Sequence, residues 1–211
     1  MVMNVVGTVA LLCGLVAGWA AAETVVEVPV LAALKANNLG VFEVMVVVWD
    51  QKPAPDPVAL RWHEGGVSLQ EAVLDSMARA FRYAVDRTPT VRHTGTVSVQ
   101  GLAYARTSTD GTSAGAAMAV GFIAVLKEER ILRGVALTGT ILSDGRIGPV
   151  GAIPDKVRAA AREGYRTVLI PAGQLLDPRW NLTGLAMELN VTVKEVATID
   201  EAYELMTGRP L

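Results

Sequence analysis

From Ala114 to Leu126 the chain carries no charged side chain: alanine, glycine, valine, methionine, phenylalanine, isoleucine and leucine fill the whole segment. Thirteen such residues are too many for an ordinary strand and suit a helix. A helix that is apolar on every side has no face to offer water, so it must lie centrally with other elements wrapped around it. Glu128-Glu129-Arg130 then marks its solvated end. With 211 residues, 51% of them hydrophobic, the chain is long enough to build one domain around such a helix.

The residues that open this segment are Asp110-Gly111-Thr112-Ser113-Ala114-Gly115. Where a loop turns into a helix, the first backbone N–H groups lack intrahelical partners and the positive end of the dipole lies behind them. An oxyanion is stabilised there. Thr112 or Ser113 equally fits an ordinary N-cap, so the residue types leave both readings open. The frame Gly111-x-Ser113-x-Gly115 also matches a nucleophile elbow, but an α/β-hydrolase needs its histidine after the serine. Both histidines, His63 and His93, precede Ser113. A chymotrypsin-like order belongs to a β-barrel, whereas the residues after this serine read as helix. The base that remains is a lysine, from Lys127, Lys156 or Lys194. Lys156 sits just inside a helix start marked by Pro154. Its apolar neighbours Ile153 and Val157 and the positive helix end both favour the neutral amine that a general base requires.

Four ordered motifs carry a resemblance: Asp110–Gly115, Ala136–Thr140, Gly145–Gly151 followed by Lys156, and Val168–Pro171. In that order, and with Ser113 and Lys156 separated by 43 positions, the chain resembles the proteolytic domain of the Lon protease family. The strong likeness covers roughly residues 110–171, and a weaker one runs from about 68 to the C-terminus. The resemblance implies an α+β fold with a mixed sheet and packed helices. It implies a serine endopeptidase with Ser113 as nucleophile and Lys156 as its base, Thr138 holding the amine, and the carboxylate of Asp110 near the dyad. The oxyanion would meet the backbone N–H groups of Gly111, Thr112 and Ser113. No cofactor or metal is implied, and the family's rings imply a homo-oligomer, with a hexamer as the expectation. Three positions depart from the family pattern: Thr112 for proline, Thr140 for the glutamate of T-G-E, and Ala152 for a glycine. Thr138-Gly139-Thr140 is similar to the stand-alone, extracytoplasmic branch rather than the ATP-driven enzymes. A non-catalytic module of the same fold, used for assembly or binding, is the rival; the presence of both dyad residues argues against it.

The remaining sequence is consistent with that outline. A formal charge of −2 gives no electrostatic footprint for nucleic acid. The single cysteine, Cys13, excludes a disulfide within the chain and any multi-cysteine metal site. Residues 1–22 are free of charge and end in Ala20-Ala21-Ala22, as an exported chain's signal peptide or membrane anchor would, leaving 23–211 as the domain outside the cytoplasm. No Walker-type phosphate loop occurs, so cleavage of peptides or unfolded proteins by this chain should need no ATP. Valine-rich stretches predict strands over 24–30 and 41–49, the second apolar enough to be covered on both faces. Ser68-Leu69-Gln70-Glu71 predicts a capping box opening a helix to about Val85, with Leu69, Val73, Met77, Phe81 and Ala84 along its buried stripe. Further strands are predicted over 94–107, 135–142, 167–171 and 191–196. Helices are predicted over 154–163, ended by Gly164, over 181–189, and from a Thr198 cap to about Met206.

Overall fold

The computed structural model describes residues 23–34, 39–51, 58–63, 67–102, 107–109 and 111–211. The charge-free opening segment, the proline-rich stretch 52–57 and Asp110 lie outside the described residues. Strands β1 (Glu23–Leu34) and β2 (Leu39–Asp50) pair antiparallel along their whole length, from Glu23↔Asp50 to Leu34↔Leu39. β2 is not covered evenly on both faces as the sequence predicts. Glu43, Met45, Val47 and Trp49 are buried, while Phe42, Val44, Val46 and Val48 between them are half-buried. Met45, Val47 and Trp49 belong to the core around the central helix, and the residues between them lie on the less covered face.

After β2 come β3 (Ala59–His63), β4 (Val67–Leu69), α1 (Glu71–Arg87), β5 (Thr96–Leu102), β6 (Thr107–Thr109) and α2 (Gly115–Leu126). The capping box does not form. Residues 67–69 pair in parallel with 107–109 as a separate two-stranded sheet, so the helix starts only at Glu71, with Gln70 at the N-cap and no side-chain cap bond. Leu69 therefore belongs to β4, whereas Val73, Met77, Phe81 and Ala84 form the buried stripe, joined by Ser76 and Ala80. That same pairing divides the strand predicted over 94–107 into β5 and β6.

The second half supplies β7 (Val135–Leu137), β8 (Thr140–Ile141), β9 (Ile147–Gly148), α3 (Ile153–Arg162), β10 (Thr167–Pro171), α4 (Leu182–Leu189), β11 (Thr192–Val196) and α5 (Ile199–Thr207). The strand predicted over 135–142 is two strands, broken at Thr138-Gly139. Gly164 takes φ +80° just beyond α3, and Thr198 Oγ1 accepts the Glu201 N–H at the start of α5, both as the sequence predicts. Seven strands form one mixed sheet in the order β11-β10-β7-β1-β2-β5-β3, and β8 pairs with β9 apart from it.

Every residue of α2 is buried. The helix is packed between the sheet on one side and α1 and α5 on the other. Its six large apolar side chains, from Met118 to Leu126, contribute gross burial on the order of 10 kcal/mol. On the opposite face, Ile153, Val157 and Ala160 of α3 and Leu182 and Leu185 of α4 pack with Leu31, Val168 and Ile170 as a second core. The fold is therefore three layers, helices on both sides of a mixed sheet.

The seating of α3 depends on Gly40. A Cβ built there would lie 1.8 Å from the Asp155 carbonyl oxygen, and Arg162 Nη2 donates to the Gly40 carbonyl at 2.7 Å. Gly40→Ala should thus push the helix off the sheet and cost about 1–3 kcal/mol. Urea unfolding checks this: the midpoint should fall while the slope stays unchanged.

Candidate active site

Ser113 approaches from the layer of α2 and Lys156 from the layer of α3, on opposite faces of the sheet. They meet because β7, the strand between them, stops at Leu137. The Thr138 N–H still donates to Leu169 O of β10 at 3.0 Å. Gly139 then turns out of the sheet. Its N–H donates to Ser113 O at 2.8 Å, and its carbonyl accepts the Ala116 N–H at 3.0 Å. A side chain at Gly139 would place Cβ 2.3 Å from Ile147 Cγ2, so only glycine permits this approach. The end of the strand leaves a passage between the two helical layers.

Lys156 fills the passage. It lies in the first turn of α3, only 3% exposed, with Nζ 2.9 Å from Ser113 Oγ and 3.0 Å from Thr138 Oγ1. Thr138 is fully buried, and its hydroxyl also donates to Ser113 O at 3.4 Å. Burial pushes the Lys156 amine down from 10.5 to about 8. Desolvation is the cause, because a charged amine away from water is disfavoured relative to the neutral one. At pH 7 about a tenth of such amines carries a free lone pair, at hydrogen-bond distance from a half-buried hydroxyl. The arrangement can activate a serine for attack on an acyl carbon.

The open N-cap question resolves against capping. The N-cap of α2 is Ala114, with no side-chain cap bond, and the Ser113 hydroxyl meets Lys156 instead. Gly115 N–H goes to Thr112 O. Among the described residues, no acceptor takes the N–H of Gly111, Thr112, Ser113 or Ala114. Ala114 thus joins the three donors named from the sequence. Lys127 and Lys194, the other downstream lysines, do not contact Ser113; Lys127 Nζ bonds to Pro210 O and Glu129.

Two features around the lysine were not visible in the sequence pattern. Ala152, the N-cap of α3, holds a left-handed conformation with φ +54°. This is where the family pattern has glycine, and the backbone shows why: an L-residue is strained there. Gln174, buried after β10, uses its side-chain amide twice on one residue. Val150 N–H donates to Oε1 at 3.0 Å, and Nε2 donates to Val150 O at 2.9 Å. A lone glutamine in a turn gives no sequence signal for such a pair.

Residues 69–205 match the profile of the Lon protease (S16) C-terminal proteolytic domain. The chain belongs to that family. The Lon protease of Xanthomonas oryzae pv. oryzae is 38% identical over 105 residues, which is 50% of this chain and 12% of that protein. The Lon protease of Trichlorobacter lovleyi is 37% identical over 100 residues, covering 46% and 12%. That of Roseiflexus castenholzii is 44% identical over 70 residues, covering 33% and 9%. The matched part of this Lon domain is thus a small fraction of its longer relatives. Ser113, Thr138 and Lys156 all fall inside the family match.

Two stability measurements follow from this geometry. Below pH 8 folding has to bury a charge, or strip a proton that the unfolded chain keeps until about 10.5, at a cost of about 3 kcal/mol. Lys156→Met should therefore stabilise the domain at pH 7 by up to that amount. The gain should shrink as pH rises from 8 and vanish above 10.5, as read from denaturant midpoints across pH. Ala152→Gly relieves the left-handed strain and should add on the order of 0.5–1 kcal/mol in the same assay.

Proposed function

We propose that this domain is a serine endopeptidase in which Ser113 and Lys156 act as a catalytic pair on peptides and unfolded protein chains. The observation that carries the reading is the buried amine of Lys156, 2.9 Å from Ser113 Oγ and made easier to deprotonate by its burial. In the neutral state Nζ accepts the Ser113 hydroxyl proton while Oγ bonds to the scissile carbonyl carbon. The carbonyl oxygen becomes an oxyanion, met by backbone N–H groups among residues 111–114. The resulting ammonium returns its proton to the departing amine as the C–N bond breaks, leaving an ester on Ser113. Water then gives a proton to Nζ, attacks the ester carbon, and frees the acid as Oγ recovers its hydrogen.

Thr138 supports this by geometry. Its hydroxyl hydrogen is directed to Ser113 O, so its oxygen is left to accept an N–H of the amine. With that N–H occupied, the amine's lone pair can be aimed at Ser113 Oγ. Asp110 keeps its proposed supporting place three residues before the serine. The sequence of these 211 residues has no phosphate loop, so the cleavage step itself uses no ATP. Assembly as a homo-oligomer is part of the same proposal.

Hydrolysis of an unfolded protein substrate across pH tests it. Parent activity should rise with pH around a midpoint near 8, as Lys156 loses its proton. Ser113→Ala and Lys156→Arg should fall to the same low level, since the guanidinium stays charged and residues acting as one unit are not additive. Thr138→Ala should lose less, roughly 1–2 kcal/mol of barrier stabilisation. A folded Lys156→Arg variant with parent activity would remove Lys156 as the base.

A further inference from the structure

We infer that Gln174 is a positioning residue for Lys156: its buried amide fixes where α3 begins and so sets the distance from the amine to Ser113. This rests on the reading of Ser113 and Lys156 as the reacting pair. Between β9 and α3 the chain crosses Pro149-Val150-Gly151-Ala152 with little to hold it. Pro149 has no N–H, Gly151 is exposed with nothing within 4 Å of its Cβ position, and Ala152 is in a strained conformation. Among the described residues, Val150 is the only one of the four with a backbone hydrogen bond outside the helix that follows. Both of its groups go to Gln174. The amide closes on Val150 as a neighbouring strand would, accepting at one atom and donating at the other.

Gln174 is itself fixed. Ala172 N–H donates to Val196 O at 3.0 Å, and Leu175 N–H donates to Glu195 Oε1 at 2.7 Å, so the turn on both sides of it is tied to β11. From there the path to the amine is short and covalent. Val150 leads through Gly151 to Ala152, whose carbonyl accepts the Lys156 N–H at 3.2 Å. The adjoining strand β10 also holds Thr138, through Leu169 O. One strand and its turn therefore place both the lysine and the hydroxyl that orients it. A glutamine buried in a turn costs side-chain entropy and desolvation that an apolar residue would avoid. Both its polar atoms are satisfied by this one residue.

The test compares Gln174→Leu, which keeps an apolar body of similar bulk and removes both bonds, and Gln174→Glu with the parent. Three quantities are read: the thermal melt, kcat and KM on an unfolded substrate, and the titration of Lys156 Nζ by NMR of isotopically labelled lysine. Around that amine the structure shows the hydroxyls of Ser113 and Thr138, and burial alone accounts for its shift. The Leu variant should melt as a folded protein and lose about tenfold or more in kcat, with KM changed less than about twofold. Its lysine midpoint should climb from about 8 toward the ordinary 10.5 as water reaches the amine. In Gln174→Glu, a protonated carboxyl can make both bonds and a carboxylate only one. Its lysine signals should therefore match the parent at low pH and depart from it once the carboxyl ionises. Parent-like kcat and lysine midpoint in folded Gln174→Leu would overturn the inference, as would a loss confined to KM or to the melt. If the Leu variant does not fold, a Glu variant identical to parent at every pH overturns it instead. The NMR titration needs no turnover, so it decides the role of Gln174 even if Ser113→Ala and Lys156→Arg were to leave activity intact.

Discussion

The structure depends on keeping one amine dry. A lysine in water is charged almost completely at neutral pH, and a charged amine accepts no proton. Excluding water from Lys156 takes an apolar layer on each side, one around α2 and one around α3 and α4. The amine then needs a hole between those layers, and the early end of β7 provides it. Several polar groups exposed by stopping the strand find partners elsewhere. Thr138 N–H reaches β10, Gly139 serves both Ser113 and Ala116, and the Thr138 hydroxyl faces the lysine. Burial without those partners would be far more costly.

Much of this was legible in the residues. The polar-free run after Ala114 predicts a central helix, and α2 is buried at every position. The motifs around Ser113, Thr138 and Lys156 resemble one family, and the structure brings those three side chains into contact across the sheet. Local signals also sufficed where no distant segment competed. Thr198 caps α5 and Gly164 ends α3.

What could not be read shares a physical cause, which is backbone pairing decided by distant residues. Ser68 through Glu71 satisfies the capping-box pattern, yet the backbone of 67–69 pairs with 107–109 and the helix starts later. Residues 135–142 are rich in branched side chains as a strand should be, but Gly139 exchanges its ladder bonds for Ser113 and Ala116. Gln174 is the extreme case, since a single amide in a turn has no periodicity at all. Ala152 lies between the two kinds. Its mismatch with the family's glycine was visible, but the left-handed backbone that gives the mismatch a cost was not.

The burial of Lys156 also acts as an interlock. The amine is easily deprotonated only while α3 sits against the sheet with Gly40 under its first turn. Should that helix lift, water enters and the lysine takes up a proton; on the proposed reading the serine then becomes an ordinary alcohol. On the proposed reading, a half-made or heat-loosened copy of this domain is disarmed by the same event that exposes its own chain to cleavage. Reactivity and integrity are then reported by one proton.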